Sequence, residues 1–348
     1  MIIKTHIVKY LIPAVIVLSV CSGCALTVDV ESEEAVIDPM LQQKAEKAVE
    51  SARESFNVIT ELPVQARYSD DVQKARQELV NSEKFLIQNL LDEAYVSAEN
   101  SRNISQRIVQ NFYQHVLAQT AQQTKADIQR ISDADPDNPL QDFLPRLDEI
   151  LDYSDSISQG EELLKFDKML DDLDRLTQIE HNTRENVART IGIDVSFKSG
   201  SYELTEEGKQ LLDDYVVEIM ASRDRFKRLY PEFPVTITIK VVGYADQAGF
   251  IPGTKLVDQL LEQSEDVPDA EPDRRKFLNQ ELSELRAKMI SEYAVQIIEQ
   301  YASEQSIVSI TQDIKGFGES IPPAVPEPYP IDDARRRICK IYSYITTP

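Results

Sequence analysis

Histidine and cysteine are nearly missing from this chain, three of each in 348 residues. Cys21 falls in an N-terminal segment expected to be removed, which leaves His115 and His181, far apart and each on a helical pattern, and Cys24 and Cys339. Such sparse ligands offer little for zinc coordination, redox chemistry or a Cys–His nucleophile, and no intramolecular disulfide is expected. No Ser/His/Asp arrangement and no phosphate-cradling glycine loop stands out, so the chain is expected to be no enzyme and to need no cofactor or metal. Positive charge is scarce as well. Lys and Arg number 37 against 60 Asp and Glu, a formal net charge of −23, and a surface of that sign repels phosphate backbones. Nucleic acid is therefore not an expected partner. No long low-complexity tract occurs and 42% of residues are apolar, so general disorder is not expected either.

What is present begins with a basic start, Lys4 and Lys9, followed by an apolar stretch of about eleven residues from Tyr10 to Val20. That stretch is too short to span a bilayer, which takes roughly twenty residues, and its flanks are those of a secretory signal. Ser22 and Gly23, directly before Cys24, resemble the lipobox of bacterial lipoproteins. The resemblance implies cleavage after residue 23 and acylation of Cys24, with palmitate-type chains anchoring the mature protein. Cys21 departs from the pattern, standing where an aliphatic residue is usual. Two or three chains hold far more firmly than one, at about 0.8 kcal/mol per buried methylene. Ala25 follows the cysteine, where family rules link Asp to inner-membrane retention, so the outer membrane, facing the periplasm, is the expected location.

Residues 24–38 read as an acidic spacer, and 39–186 as a helical region of hairpins or a bundle. Ala45, Ala48, Val49, Ala52, Phe56 and Ile59 recur at helical spacing on one face. Pro63 should end that helix, Ser69-Asp70-Asp71 should open the next, and a bend is expected near Asn89 to Asp92. Asp133-Ala134-Asp135-Pro136-Asp137-Asn138-Pro139 breaks the helical run. Its alternating acids suggest a calcium loop, but Asn138 and Leu144 occupy the positions where such a loop needs Gly and Glu, so a turn with helix caps is the better reading. Asp171, Asp172 and Asp174 read as a solvated face.

The pattern changes near Gly192. Ile193 to Phe197 alternates as a strand, and Thr205 should cap a helix whose buried stripe is Leu211, Leu212, Tyr215, Val216, Ile219 and Met220. Val235, Ile237, Ile239 and Val241 form a half-buried strand. A second helix carries Leu278, Leu282, Leu285, Met289, Ala294, Ile297 and Tyr301, and strands are expected at Ser306–Ile314 and Arg337–Ile345. The fold class is α+β: a helical region, then β-α-β-α-β-β with helices on one face of a sheet.

Four stretches of residues 187–348 stand out: the 195–204 strand and turn, Gly243-Tyr244-Ala245-Asp246-Gln247-Ala248-Gly249, Asn279-Gln280-Glu281-Leu282-Ser283-Glu284-Leu285-Arg286-Ala287, and Gly316-Phe317-Gly318 with Arg336-Arg337-Ile338. Together they resemble the OmpA-like peptidoglycan-binding family. The resemblance implies non-covalent binding of a stem peptide through diaminopimelate, which carries an ammonium and a carboxylate on one side chain. It assigns Asp246 to the ammonium and Arg286 to the carboxylate, with Asn279 and Leu282 in the same site. A structural ion pair between Asp246 and Arg286 is the alternative. Three departures stand out. An acidic insertion at about 251–276, including Glu262, Glu265, Asp266, Asp269, Glu271 and Asp273, separates the loop from the helix, and Arg335 stands where the family has Asn. Lys340 replaces an apolar strand residue, so the last strand could be shifted by one, turning Cys339, Ile341 and Ile345 inward. Two functions remain open at this level: a tether between the outer membrane and peptidoglycan, or a periplasmic scaffold whose helical region binds a protein partner.

Overall fold

The computed structural model describes residues 38–192, 196–198, 201–262, 267–301, 308–323, 325 and 330–347. Cys24, the signal segment and most of the acidic spacer lie outside the described residues, as do 193–195, Glu265 and Asp266. The chain falls into two compact units that divide between Val116 and Leu117, inside a π-helical turn over Tyr113–Leu117.

In the first unit, α1 (Pro39–Glu61) starts where Asp38 accepts the Met40 N–H at 2.9 Å and Pro39 supplies the first helical φ. Every residue of its expected stripe is buried, from Ala45 to Ile59. α2 (Gln65–Ile87) opens at Val64, ahead of the expected Ser69 cap, and is kinked at Tyr68 (φ −123°, ψ 24°). The regular helix thus resumes beside Ser69, which bonds only its neighbour Asp70 at 3.4 Å. The bend comes where it was expected: Asn89 takes a positive φ of 58° and α3 runs Leu91–Phe112. Alanines at 45, 75, 94 and 98 are fully buried, so the helix backbones approach closely, and Ser101 Oγ donates to the Ala75 carbonyl at 2.8 Å.

The second unit begins with α4 (Ala118–Ala134), a 3₁₀ turn at Pro139–Phe143, α5 (Leu144–Gln159) and α6 (Phe166–Glu185). β1 (Val187–Gly192), α7 (Glu206–Leu229), β2 (Val235–Gly243), α8 (Lys255–Glu262), α9 (Asp273–Tyr301), β3 (Val308–Gly316) and β4 (Ile338–Thr346) follow. The four strands lie in the order β1-β4-β2-β3, with β2 and β3 parallel and both pairings of β4 antiparallel. This is the expected α+β class with its β-α-β-α-β-β order, to which the insertion adds one short helix. The first strand precedes the expected one: Val187–Gly192 pairs with β4, and Phe197 makes only an isolated bridge to Leu204.

One face of the sheet carries the larger core. Val235, Ile237, Ile239 and Val241 pack with Tyr215, Val216 and Ile219 of α7 and with Ala287, Ile290, Ala294 and Ile298 of α9. Thr205 caps α7 as expected, accepting the Gly208 N–H at 2.9 Å. Leu211, expected in the α7 stripe, is instead 46% exposed, and Tyr301 of α9 is 55% exposed. Of the expected α9 stripe, Leu278, Leu282 and Ala294 are buried and Leu285, Met289 and Ile297 are half-buried, while Ala287, Ile290 and Ile298 complete the face that meets the sheet.

The final strand's register is settled by Lys340. Cys339, Ile341 and Ile345 point into the large core, and Lys340, Tyr342 and Tyr344 point to the opposite face. The helices were expected on one face only, but the second face is covered too. The turn after α4 lies against it, with Phe143 edge-on to Tyr344 at 5.6 Å. Asn182 of α6 bonds both backbone groups of Ile345, accepting its N–H and donating to its carbonyl at 2.7 Å each, beyond the point where β1 stops pairing. Asp172, expected on a solvated face, is fully buried and paired with Arg146 at 2.8 Å and Lys168 at 3.1 Å. Burying a carboxylate is tolerable only with such partners.

Candidate functional site

Gly243 and Gly316 are paired in register at the last positions of the parallel strands β2 and β3. A Cβ on Gly243 would lie 2.1 Å from the Ser283 carbonyl oxygen, and one on Gly316 2.6 Å from Ser283 Oγ and 2.8 Å from the Gln280 carbonyl. The two glycines therefore let one turn of α9, residues 280–283, rest directly on the strand ends. Ser283 Oγ also accepts the Gly318 N–H at 3.0 Å. This contact sets the height of α9, and with it Asn279 and Arg286 on either side.

Asp246 follows β2 by three residues and is 5% exposed. Its loop is held by three backbone bonds: Tyr244 N–H to Ile338 O at 2.8 Å, Ala245 N–H to Gly318 O at 2.7 Å and Gln247 N–H to Ile331 O at 3.0 Å. One carboxylate oxygen accepts the Ala248 N–H at 3.0 Å, and the other takes Arg337 Nη1 at 2.6 Å. An ionised carboxylate has about four lone-pair positions, so two bonds leave acceptor capacity. Arg337 was noted in the sequence only as part of the last strand's motif. Its place beside Asp246 had no local signal, the two being 91 residues apart.

Asn279 is 3% exposed and donates to Glu319 Oε1 at 2.8 Å. Glu319 also takes a two-pronged bond from Arg275 at 2.7 and 3.0 Å, while its backbone carbonyl takes Arg336 Nη2 at 2.7 Å. The 316–320 turn thus links the Asp246 loop, through Gly318, to Asn279, through Glu319. Arg286 is 8% exposed; its Nη2 donates to the Ser201 carbonyl at 3.2 Å and its guanidinium lies over the Phe197 ring at 5.5 Å. A cation over an aromatic face is stabilised where water is excluded. Leu282 is placed in an apolar cluster with Leu256, Leu260 and Leu278. The insertion accordingly contributes a packed helix, α8, held on α9 by Leu256 and Leu260, and Arg335 bonds Asp333 beyond β3. Asp246 lies on the loop after β2, while Asn279 and Arg286 stand two turns apart on the N-terminal half of α9, where Asn279 meets Glu319 and Arg286 meets Ser201.

On the far side of the sheet the 133–139 motif has a definite role. It is a turn, with Asn138 capping by accepting the Leu140 N–H at 3.1 Å, and no group of possible metal ligands occurs among the described residues. Lys340, 6% exposed, reaches Asp135 at 2.6 Å and Asp137 at 3.0 Å. Tyr342 donates to Asp135 at 2.9 Å and Tyr244 to Asp137 at 2.6 Å. Burial and the adjoining carboxylates push both phenols well above their ordinary value, so both remain donors. Burial likewise pushes the Cys339 thiol up to about 12. No helix among the described residues is long and apolar enough to cross a membrane.

No family model matches the chain, and no curated protein matches it. Among solved structures it is similar to a MotB-like protein from Desulfovibrio vulgaris, at 16% identity and a TM-score of 0.28, over 47% of this chain and 87% of that one. It is also similar to the OmpA-like domain of FopA1 from Francisella tularensis, at 16% identity and a TM-score of 0.24, over 46% and 75% of the two chains.

Proposed function

We propose that this protein is a lipid-anchored envelope protein that binds peptidoglycan without covalent chemistry and ties the outer membrane to the cell wall. The observation that carries the reading is that two oppositely charged side chains are both buried in this unit: Asp246 on the loop after β2 and Arg286 on the N-terminal half of α9, over Phe197. A ligand with an ammonium and a carboxylate a few ångströms apart, as in the diaminopimelate of a stem peptide, is complementary to such a pair. Asp246 retains lone pairs for the ammonium, and a guanidinium can fork onto the carboxylate. Cys24 supplies the acyl anchor, so each wall contact can be weak while tethering raises its effective concentration.

The test is sedimentation of the full chain, carrying Cys24→Ser to prevent acylation, with purified diaminopimelate-type sacculi. Pull-down by the parent, lost in Asp246→Ala and Arg286→Ala, is the expected result. A folded parent that stays in the supernatant would sink this reading. The scaffold alternative, in which the helical region binds a protein, is favoured by one feature: Arg337 already occupies one oxygen of Asp246. It expects wall-independent function that survives both substitutions.

A further inference from the structure

The Asp135–Asp137 turn lies on the face of the sheet away from α9, yet one of its carboxylates reaches into the loop that carries Asp246. Asp137, on the connection between α4 and α5, takes the Tyr244 hydroxyl at 2.6 Å. Tyr244 is the second residue before Asp246 and is only 2% exposed. Its ring stacks on Phe317 at 5.1 Å and 20°, and it packs with Val242 and Tyr342. The stack sits at the strand ends, where Gly243 pairs with Cys339 of β4 and with Gly316 of β3. Beyond Gly243 the ladder stops, so the loop is held by single backbone bonds, by the bonds of Asp246 to Ala248 and Arg337, and by the buried Tyr244 side chain.

The geometry points to Asp137 as a positioning residue for Asp246, acting through Tyr244, so that the α4–α6 layer is part of the binding apparatus. The proposal rests on the reading of Asp246 as the ammonium site. Its physical basis is the shared partner set. Asp137 and Asp135 both engage Lys340; Tyr342 takes the other oxygen of Asp135, while Tyr244 shares Asp137 Oδ2 with Lys340, so the two carboxylates, the ammonium and the two phenols form one connected set. Removing Asp137 leaves a buried hydroxyl without its acceptor and Lys340 with one carboxylate. The cheapest relief is for Tyr244 to turn its hydroxyl toward water, which drags the loop with it. A binding carboxylate has to be held to about 0.5 Å, so a small loop shift is enough to weaken a ligand contact. A partner bound to the α4–α6 layer would reach Asp246 along the same chain of contacts.

The test compares the full chain with Asp137→Ala, Tyr244→Phe and Asp137→Asn, by hydrogen exchange and by affinity for a soluble diaminopimelate-containing muropeptide. Asp137→Ala and Tyr244→Phe are expected to speed exchange of the amides at 244–248 by about tenfold, with the β2 ladder unchanged, and to weaken the muropeptide by about tenfold. Asp137→Asn keeps an oxygen acceptor for the phenol and should recover most of both losses. A purely structural role would lower stability without loosening the loop selectively. Loop amides as protected as in the parent, or a loosened loop with unchanged affinity, would overturn the proposal. If the parent itself ignores the muropeptide while the loop still loosens, the positioning stands and the wall-binding reading falls.

Discussion

Replacing Gly243 by Ala probes the contact that places the site. The added Cβ would lie 2.1 Å from the Ser283 carbonyl oxygen and 2.9 Å from its carbonyl carbon. Both are backbone atoms of a 29-residue helix, so neither can swing aside. To bring the oxygen to the 3.0 Å that real Cβ contacts respect, helix and strand must separate by about 0.9 Å at that turn (3.0 − 2.1). Overpacking of this kind costs about 1–3 kcal/mol. For a unit of this size each kcal/mol lowers Tm by about 2–4 °C, so a fall of about 2–12 °C is expected. Asn279 lies one turn from Ser283 and Arg286 three residues from it, so muropeptide affinity should fall at temperatures where the variant is still folded. Gly249→Ala is the control, since a Cβ there meets nothing within 4 Å. Thermal unfolding followed by circular dichroism decides the matter. A Gly243→Ala variant with the parent's Tm would refute the idea that this close approach sets the height of α9.

Other consequences are as direct. Lys340→Met should destabilise by about 2–4 kcal/mol in urea unfolding, because it leaves two carboxylates facing each other, and a loss below about 1 kcal/mol would contradict the lock. His181 bonds Ser222 at 3.3 Å and meets Phe226 edge-on at 5.2 Å, and burial pushes it below its ordinary value of 6.5. As pH falls through that ordinary value the unfolded chain takes up a proton that the folded chain refuses, so stability is lost from there down to the folded value. His181→Gln should flatten the urea-measured pH dependence between about 7.5 and 5.5, and an unchanged slope would refute the assignment. With Cys21 and Cys24 replaced by Ser, Cys339 should resist thiol reagents at neutral pH until the chain unfolds; rapid labelling would contradict its burial.

The parts of the fold that sequence announced are those with local signals. Thr205 and its acidic first turn marked α7, alternation marked β2, and the odd Lys340 marked which residues of β4 face inward. β1 escaped because it is an edge strand with mostly exposed or half-buried residues, so it carries no alternation of period two. On α9, Leu278, Leu282 and Ala294 were legible as buried, whereas Tyr301 was counted as core for its size although it is 55% exposed, and Ala287, Ile290 and Ile298, which meet the sheet, were passed over. The longest-range contacts were invisible. Asp135 and Lys340 are 205 residues apart, and an acidic turn looks the same whether it faces water or a buried lysine. Asp246 and Arg286 were named from a motif, but Arg337, Tyr244 and Glu319 acquire their roles only from the folded arrangement.

Wall recognition is tested most directly by calorimetric titration of the full chain, carrying Cys24→Ser, with a soluble diaminopimelate-containing muropeptide. Saturable binding is expected in the parent, weakened about ten- to a hundredfold by Asp246→Asn and by Arg286→Lys, the loss of a charge-assisted contact being about 1.5–3 kcal/mol. No heat in a folded parent, or variants that bind as tightly as the parent, would contradict it.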